Sequence, residues 1–155
     1  GLQANDIKTK EGVFTQLSLD GNAFKGDIGE PRIPVMRRLV QIPYGADVTL
    51  VYHVNAIQTA EMGDYQLIPV QPPIPKLPGA LESAEFSINR ALYSQHRFLS
   101  EPAVQIQDIG YMRGNRLVVL EIAPVAYNPG DNLVQFAESI SIRLELANAD
   151  RDLTE

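Results

Sequence analysis

The close spacing of 11 prolines and 11 glycines is the feature of this sequence that most limits its fold. These residues leave runs of about six to ten residues between them, which is the usual length of a β-strand and short for a helix. In several runs the apolar residues fall at every second position, as expected for an extended chain with one buried face. The clearest run is 139–146, where four aliphatic residues alternate with Ser, Arg and Glu. The sequence therefore predicts a fold built from strands.

Three further runs have the composition of strands. Runs 13–19 and 48–54 repeat the alternation of apolar and polar positions. Run 116–122 (RLVVLEI) is almost entirely apolar, which predicts a central strand that is buried on both faces.

Turn residues between these runs predict how the strands connect. Asp20-Gly21, Arg113-Gly114-Asn115 and residues 128–132 (NPGDN) each supply Gly or Asn where a backbone reversal requires positive φ. We expect three hairpins at these positions. Hairpin connections with little helix predict an all-β fold, specifically an antiparallel two-sheet β-sandwich.

Three segments depart from the strand pattern. Residues 69–78 contain five prolines, which deny donors to a sheet and predict a proline-rich loop or edge. Residues 81–93 fit both helical and alternating spacing, so we expect irregular structure with about one helical turn. Residues 148–155 (NADRDLTE) lack apolar periodicity and are interpreted as a linker toward a downstream domain. The predicted organisation is a single sandwich domain over 1–147 followed by a linker over 148–155.

Composition excludes several kinds of chemistry. The chain has no cysteine and only two histidines, His53 and His96, which removes disulfides, thiolate nucleophiles and cysteine-ligated metals. A formal charge of −6 disfavours binding to nucleic acid or to an anionic membrane surface. No run is long and apolar enough for a membrane-spanning helix. We expect no cofactor and no metal ion.

The histidines offer little support for catalysis. His96 lies two residues after Ser94, but the adjacent Arg97 disfavours the imidazolium that a catalytic base must become. No G-x-S-x-G nucleophile turn accompanies this pair, so a surface-loop histidine is the preferred interpretation. For His53, on a predicted strand, we expect a partly buried structural role. The chain is therefore not predicted to be an enzyme by itself.

Several motifs, read together in their order and spacing, are more specific than any one of them. They are GEPRIP (29–34), IPYGA (42–46), QPP (71–73), YSQHRF (93–98), DIGYMRG (108–114) and IAPVAYNP (122–129). In this order the motifs resemble the N-terminal propeptide domain of gingipain-type, caspase-like cysteine peptidases of secreted bacterial origin. Each motif also has a scaffold role of its own; Tyr127, for example, can anchor a turn through its ring and hydroxyl.

The resemblance implies a β-sandwich that packs on the catalytic domain of the same precursor, assists its folding and keeps it inactive. It also implies a basic residue on a surface loop that enters the specificity pocket. The matching loop here has one basic residue, Lys76, stiffened by nearby prolines; a solvent-exposed lysine without a partner is the alternative. Arg97 and Arg113 are the next candidates, and Arg151 is a guessed processing site.

The same resemblance implies a secreted, surface or periplasmic location after removal of a signal peptide, and a monomeric prodomain. The competing interpretation, from a different class, is a β-sandwich that serves in adhesion, in carbohydrate binding or as a structural module of a secretion machine. A caspase-like domain downstream of residue 155 would favour the first interpretation over the second.

Overall fold

The computed structural model describes residues 1–147, which form ten strands and two short helices. The strands are Gln3–Thr9 (β1), Gly12–Ser18 (β2), Phe24–Lys25 (β3), Ile33–Pro34 (β4), Met36–Pro43 (β5), Asp47–Glu61 (β6), Ala103–Met112 (β7), Asn115–Ala123 (β8), Val125–Asn128 (β9) and Leu133–Ala147 (β10). The helices are Ala80–Ser83 (α1) and Arg90–Tyr93 (α2). The predicted linker, 148–155, lies outside the described residues, and the domain division remains a prediction.

The strands pair antiparallel throughout the named sheets, as the sequence predicted. Two three-stranded sheets, in the orders β6-β10-β9 and β5-β8-β7, form the body of the fold. The pairs β1-β2 and β3-β4 form two smaller sheets beside them. The prediction of an all-β, antiparallel, two-sheet arrangement is confirmed.

Two apolar clusters form the core. The smaller joins the three-stranded sheets and centres on Ile42, Ala46 and Val118. The larger gathers side chains from β2, β4, β9 and β10 around Leu67, in a segment outside the strands. The second cluster therefore fixes a connecting segment as firmly as a strand, and this segment leads directly into the proline-rich loop.

Two of the three predicted hairpins are present. Arg113 and Gly114 form the two-residue turn between β7 and β8, with φ of 52° and 79°, as a type I′ turn requires. Residues 129–132 join β9 to β10. The hairpin predicted at Asp20-Gly21 is wrong: a turn forms there, but β2 pairs with the preceding strand β1 and not with the following one. The sequence reasoning overlooked β1 because its alternation is weak and its residues are mostly exposed.

Two burial predictions were also wrong. Strand β8 is central, but only its inward face is fully buried, at Val118 and Leu120, while Leu117 and Val119 are half-buried. His53, expected to be partly buried, is exposed on β6. In both cases the outer face of a sheet lacks a covering layer among the described residues, which the apolar pattern alone could not show.

Candidate functional site: a braced proline-rich loop

The proline-rich segment forms a long loop on a rigid support. We call residues 67–71 the root and residues 72–86 the proline loop. Leu67 is fully buried. Its N–H donates to the hydroxyl of Tyr127 at 3.0 Å, and its carbonyl accepts from the hydroxyl of Tyr93 at 2.6 Å. Two tyrosines thus satisfy both backbone groups of one buried residue, which an isolated segment in a core otherwise leaves unpaired.

The protonation of these tyrosines suits that task. Burial raises the pKa of Tyr127 to about 12, although the N–H of Leu67 acts in the opposite direction. Burial, followed by the proximity of Tyr127, raises the pKa of Tyr93 as well. Both hydroxyls therefore stay protonated at neutral pH. Tyr127 passes its own proton to Asn132 Oδ1 at 2.5 Å, so the expectation that its hydroxyl anchors a turn is confirmed.

Backbone hydrogen bonds fix the rest of the root. The N–H of Ile68 donates to the carbonyl of Thr15 in β2 at 2.8 Å, and the N–H of Val70 donates to the carbonyl of Glu30 at 2.7 Å. The root is therefore held like a strand between neighbouring segments, although it belongs to no named sheet.

Gln71 closes the proline loop at its base. Its side-chain amide donates to the carbonyl of Ser87 at 2.6 Å, and its Oε1 accepts from the N–H of Ser87 at 2.9 Å. One side chain thus pairs both backbone groups of a residue 16 positions away. This pair of hydrogen bonds fixes the distance between the two ends of the loop.

The β1–β2 hairpin supports the returning limb of the loop. The ring of Phe14 in β2 stacks on the ring of Phe86 with centroids 5.3 Å apart. Glu11, in the turn, forms an ion pair with Arg90 at the start of α2, at 3.1 Å. Lys10 Nζ, also in the turn, donates to the carbonyls of Glu82 and Ala84.

The apex of the proline loop is exposed and carries a cation. Lys76 lies between Pro75 and Pro78 and is exposed, as are Ile74 and Leu77, whose exposed fractions are 47% and 69%. Within residues 1–147, the ammonium group of Lys76 has no hydrogen-bond or ion-pair partner. A groove of about 720 Å³ runs between the loop and β1. This geometry can present one free cation, flanked by apolar side chains, to a partner.

The other predicted site residues lie elsewhere. Arg97 follows α2, is exposed, and donates from Nε to Gln95 at 2.6 Å. Arg113 is exposed at the tip of the β7–β8 hairpin. The two arginines and Lys76 thus occupy three separate segments, with no contact between them in the part of the chain that the structure describes. Arg151 lies outside the described residues.

The Ser94/His96 pair does not form a nucleophile and base. The hydroxyl of Ser94 donates to the carbonyl of Arg90 at 2.8 Å, which occupies its proton. His96 Nδ1 lies 2.7 Å from Asp131 Oδ1. The hydrogen bond from His96, and then that from Asn128, lowers the pKa of Asp131. The pair joins the segment after α2 to the β9–β10 hairpin, which is a structural role.

The structure reveals supporting residues that the sequence did not indicate. Lys10 lies 72 positions from Glu82, and Gln71 contacts Ser87 across a loop of undefined shape, so no local pattern marked either residue. Among residues 1–147, no three His, Asp or Glu side chains are placed to share a metal ion. Over the same residues, no helix has the length and hydropathy needed to cross a membrane.

Comparison with known proteins agrees with this architecture. The whole chain, residues 1–155, matches the family model Propeptide_C25, and the chain belongs to this family. It is thus a propeptide domain of gingipain type, the non-catalytic part of a peptidase precursor. The resemblance identified from the sequence motifs is confirmed.

Individual relatives place it more closely. The chain is 29% identical over 162 residues to Lys-gingipain HG66 of Porphyromonas gingivalis, and equally to Lys-gingipain W83 of that species. These alignments cover 99% of this chain and 9% of each relative. The chain therefore spans only a small part of the length of the peptidases that it matches.

Two solved structures share the fold. One, reported as structural insight into zymogenic latency of gingipain K from P. gingivalis, has a TM-score of 0.85 and 28% identity, covering 96% of this chain and 82% of that one. The other is a complex of P. gingivalis RgpB pro- and mature domains, with a TM-score of 0.69 and 17% identity, covering 96% of this chain and 75% of that one. The second supports the fold alone.

Proposed function

We propose that this propeptide packs on the catalytic domain of its own precursor and holds it inactive, with Lys76 in the specificity pocket. The observation that carries the proposal is the free cation of Lys76 at the exposed apex of a loop whose two ends are fixed. Family membership supplies the class of partner, a gingipain-type cysteine peptidase domain. The structure of gingipain K concerns the latency of a zymogen, which supports the same role here.

The construction of the loop favours binding through its apex. Pro75 and Pro78 limit the conformations of the chain on both sides of Lys76, and Gln71 fixes the base. A loop that is already ordered loses less conformational entropy when it enters a pocket, so more of the interaction energy appears as affinity. Ile74 and Leu77, both exposed, can bury apolar surface at the rim of that pocket.

The family also supports a role in folding and a location outside the cytoplasm. We propose that the sandwich assists folding of the catalytic domain while both belong to one precursor, and that the precursor is secreted or held at the cell surface. An adhesion or carbohydrate-binding function has no comparable support from the geometry or from the family.

Alanine substitution at Lys76 tests the inhibitory role. The catalytic domain of the same precursor is produced separately, and the chain is added to it while hydrolysis of a peptide substrate is followed. Removing one partner of a buried charge pair costs about 2–5 kcal/mol, so Lys76→Ala should weaken inhibition by about 30-fold to several thousand-fold. Lys76→Arg retains the charge and should inhibit more strongly than Lys76→Ala.

A matched control separates this effect from the loss of one positive charge. Lys8 is an exposed lysine of β1, and Lys8→Ala should leave inhibition close to that of the unchanged chain. Equal inhibition by Lys76→Ala and Lys8→Ala would refute the role of Lys76. Arg97→Ala and Arg113→Ala, measured in the same assay, would then show whether either arginine takes that role.

A further inference from the structure

We infer that Lys10, in the β1–β2 turn, is a positioning residue that keeps the proline loop closed and so protects the Lys76–Leu77 peptide bond from cleavage. The inference rests on the proposed function for the identity of the attacking peptidase. The bracing contact itself is a property of this chain and can be tested without that peptidase.

A lysine that occupies the specificity pocket of a peptidase places the next peptide bond near the nucleophile. Hydrolysis would add one water molecule across the Lys76–Leu77 bond, leaving a carboxylate on Lys76 and an amino group on Leu77. Residue 77 is leucine, so this bond is an ordinary secondary amide without the protection that a following proline gives. Exposed loop tips are preferred sites of proteolysis. Resistance must therefore come from the restraint of the loop.

Lys10 supplies such a restraint close to the apex. Its Nζ lies 2.9 Å from the carbonyl of Glu82 and also donates to the carbonyl of Ala84. Both carbonyls lie at the end of α1, where the last turn of a helix leaves acceptors without intrahelical partners. A lysine that donates to these acceptors closes the helix end and favours its polarity.

The position of this contact distinguishes Lys10 from the other supports. Gln71 acts at the base of the loop, whereas Glu82 is only six positions after Lys76 in the sequence. A base contact fixes where the loop begins and ends. A contact near the apex also limits how far the segment around Lys76 can open into the extended form that a peptidase needs in order to cut.

The exposed position of Lys10 makes its role separable from overall stability. Interactions of exposed charged side chains add little to the free energy of unfolding, yet they can control local opening of a loop. Lys10→Met keeps the side-chain stem and removes all donors, while Lys10→Arg keeps a cation and its donors. Loss in the first variant and recovery in the second would indicate the hydrogen bonds rather than packing.

Limited proteolysis of the folded chain with trypsin tests the inference directly. Trypsin cuts after lysine and arginine, and mass spectrometry gives the rate at each site. Lys10→Met should raise the rate at Lys76–Leu77 about tenfold, the effect of roughly 1.4 kcal/mol, at an unchanged rate at Arg113–Gly114. Lys10→Arg and the matched control Lys8→Met should both cut at the rate of the unchanged chain.

The pattern of cutting decides between explanations. Equal rates at Lys76–Leu77 in Lys10→Met and the unchanged chain would overturn the inference. Faster cutting at Arg113–Gly114 as well would show a loss of overall stability and would also overturn it.

The catalytic domain of the precursor provides the second readout. With it, Lys10→Met should begin as an inhibitor and lose inhibition as the Lys76–Leu77 bond is cut, while the unchanged chain persists. Stable inhibition by Lys10→Met would overturn the protective role. If Lys76→Ala inhibits normally while trypsin still shows the tenfold effect, the proposed function fails and the brace stands.

Discussion

Replacing Tyr127 with phenylalanine removes one hydroxyl group from the root of the proline loop and little else. The side chain of Tyr127 is fully buried, and its ring can stay in place in the variant. The N–H of Leu67, which donates to that hydroxyl at 3.0 Å, then remains in the core without an acceptor. The carbonyl of Leu67 keeps its bond from Tyr93.

The structure sets the size of the expected loss. A buried donor left unpaired costs about 1–3 kcal/mol, and the lost bond to Asn132 adds less because that side chain is partly exposed. We expect Tyr127→Phe to lower the free energy of unfolding by about 2–3 kcal/mol. For a chain of this length that corresponds to a fall in Tm of about 5–10 °C. Tyr93→Phe, which removes a donor to a carbonyl, should cost about 1 kcal/mol.

Urea unfolding followed by far-ultraviolet circular dichroism measures these losses. The midpoint should fall at an unchanged slope, since the surface exposed on unfolding is the same. Tyr111→Phe is the matched control, because Tyr111 is 69% exposed, and it should have no effect. The reasoning is refuted if Tyr127→Phe costs no more than Tyr111→Phe.

The pKa of Tyr127 adds a test at high pH. Its value is about 12 in the folded chain and about 10 in an unfolded one. The unfolded state therefore loses its proton first as the pH rises, so the stabilisation is complete below about pH 10 and is lost toward pH 12. Tyr127→Phe should reduce this alkaline decline of the urea midpoint; an identical decline in both proteins would contradict the role of burial.

Two further predictions concern the contact between the segment after α2 and the β9–β10 hairpin. A Cβ on Gly130 would lie 2.6 Å from the carbonyl oxygen of Gln95, so Gly130→Ala should cost about 1–3 kcal/mol in thermal unfolding. Gly21→Ala meets only backbone strain at φ 90° in open space and should cost about 1–2 kcal/mol; a larger loss at Gly21 would contradict the close approach. The hydrogen bond from His96 lowers the pKa of Asp131, so the stabilisation is present above about pH 4 and is lost as the pH falls. Asp131→Asn should weaken the acid dependence of the urea midpoint, and unchanged dependence would count against this pair.

Local patterns predicted the parts of the fold that depend on local chemistry. The turn at Arg113-Gly114 follows from residues that tolerate positive φ, and the alternation in β10 follows from its one apolar face. The failure at Asp20-Gly21 has the same origin: the dipeptide favours a turn, but which strand pairs with β2 depends on residues earlier in the chain. Burial of the outer face of β8 depends on a covering layer, which no pattern within the strand specifies.

The candidate site divides in the same way. The prolines and the single lysine identified a stiff loop with a basic apex, and the motif with Tyr127 identified an anchored turn. The support of that loop was not visible, because Lys10, Gln71 and Tyr93 act on residues 16 to 72 positions away.

The sequence by itself thus determined the strand content, two of the hairpins, the absence of thiol chemistry and the gingipain-type propeptide family. Periodicity, turn preference and motif spacing are properties of neighbouring residues, and they survive in the unfolded chain. Only the tertiary structure decided that the proline loop is braced at its root, its base and its returning limb. Those hydrogen bonds exist only after distant segments meet, and they leave Lys76 as the free cation at the apex of the loop.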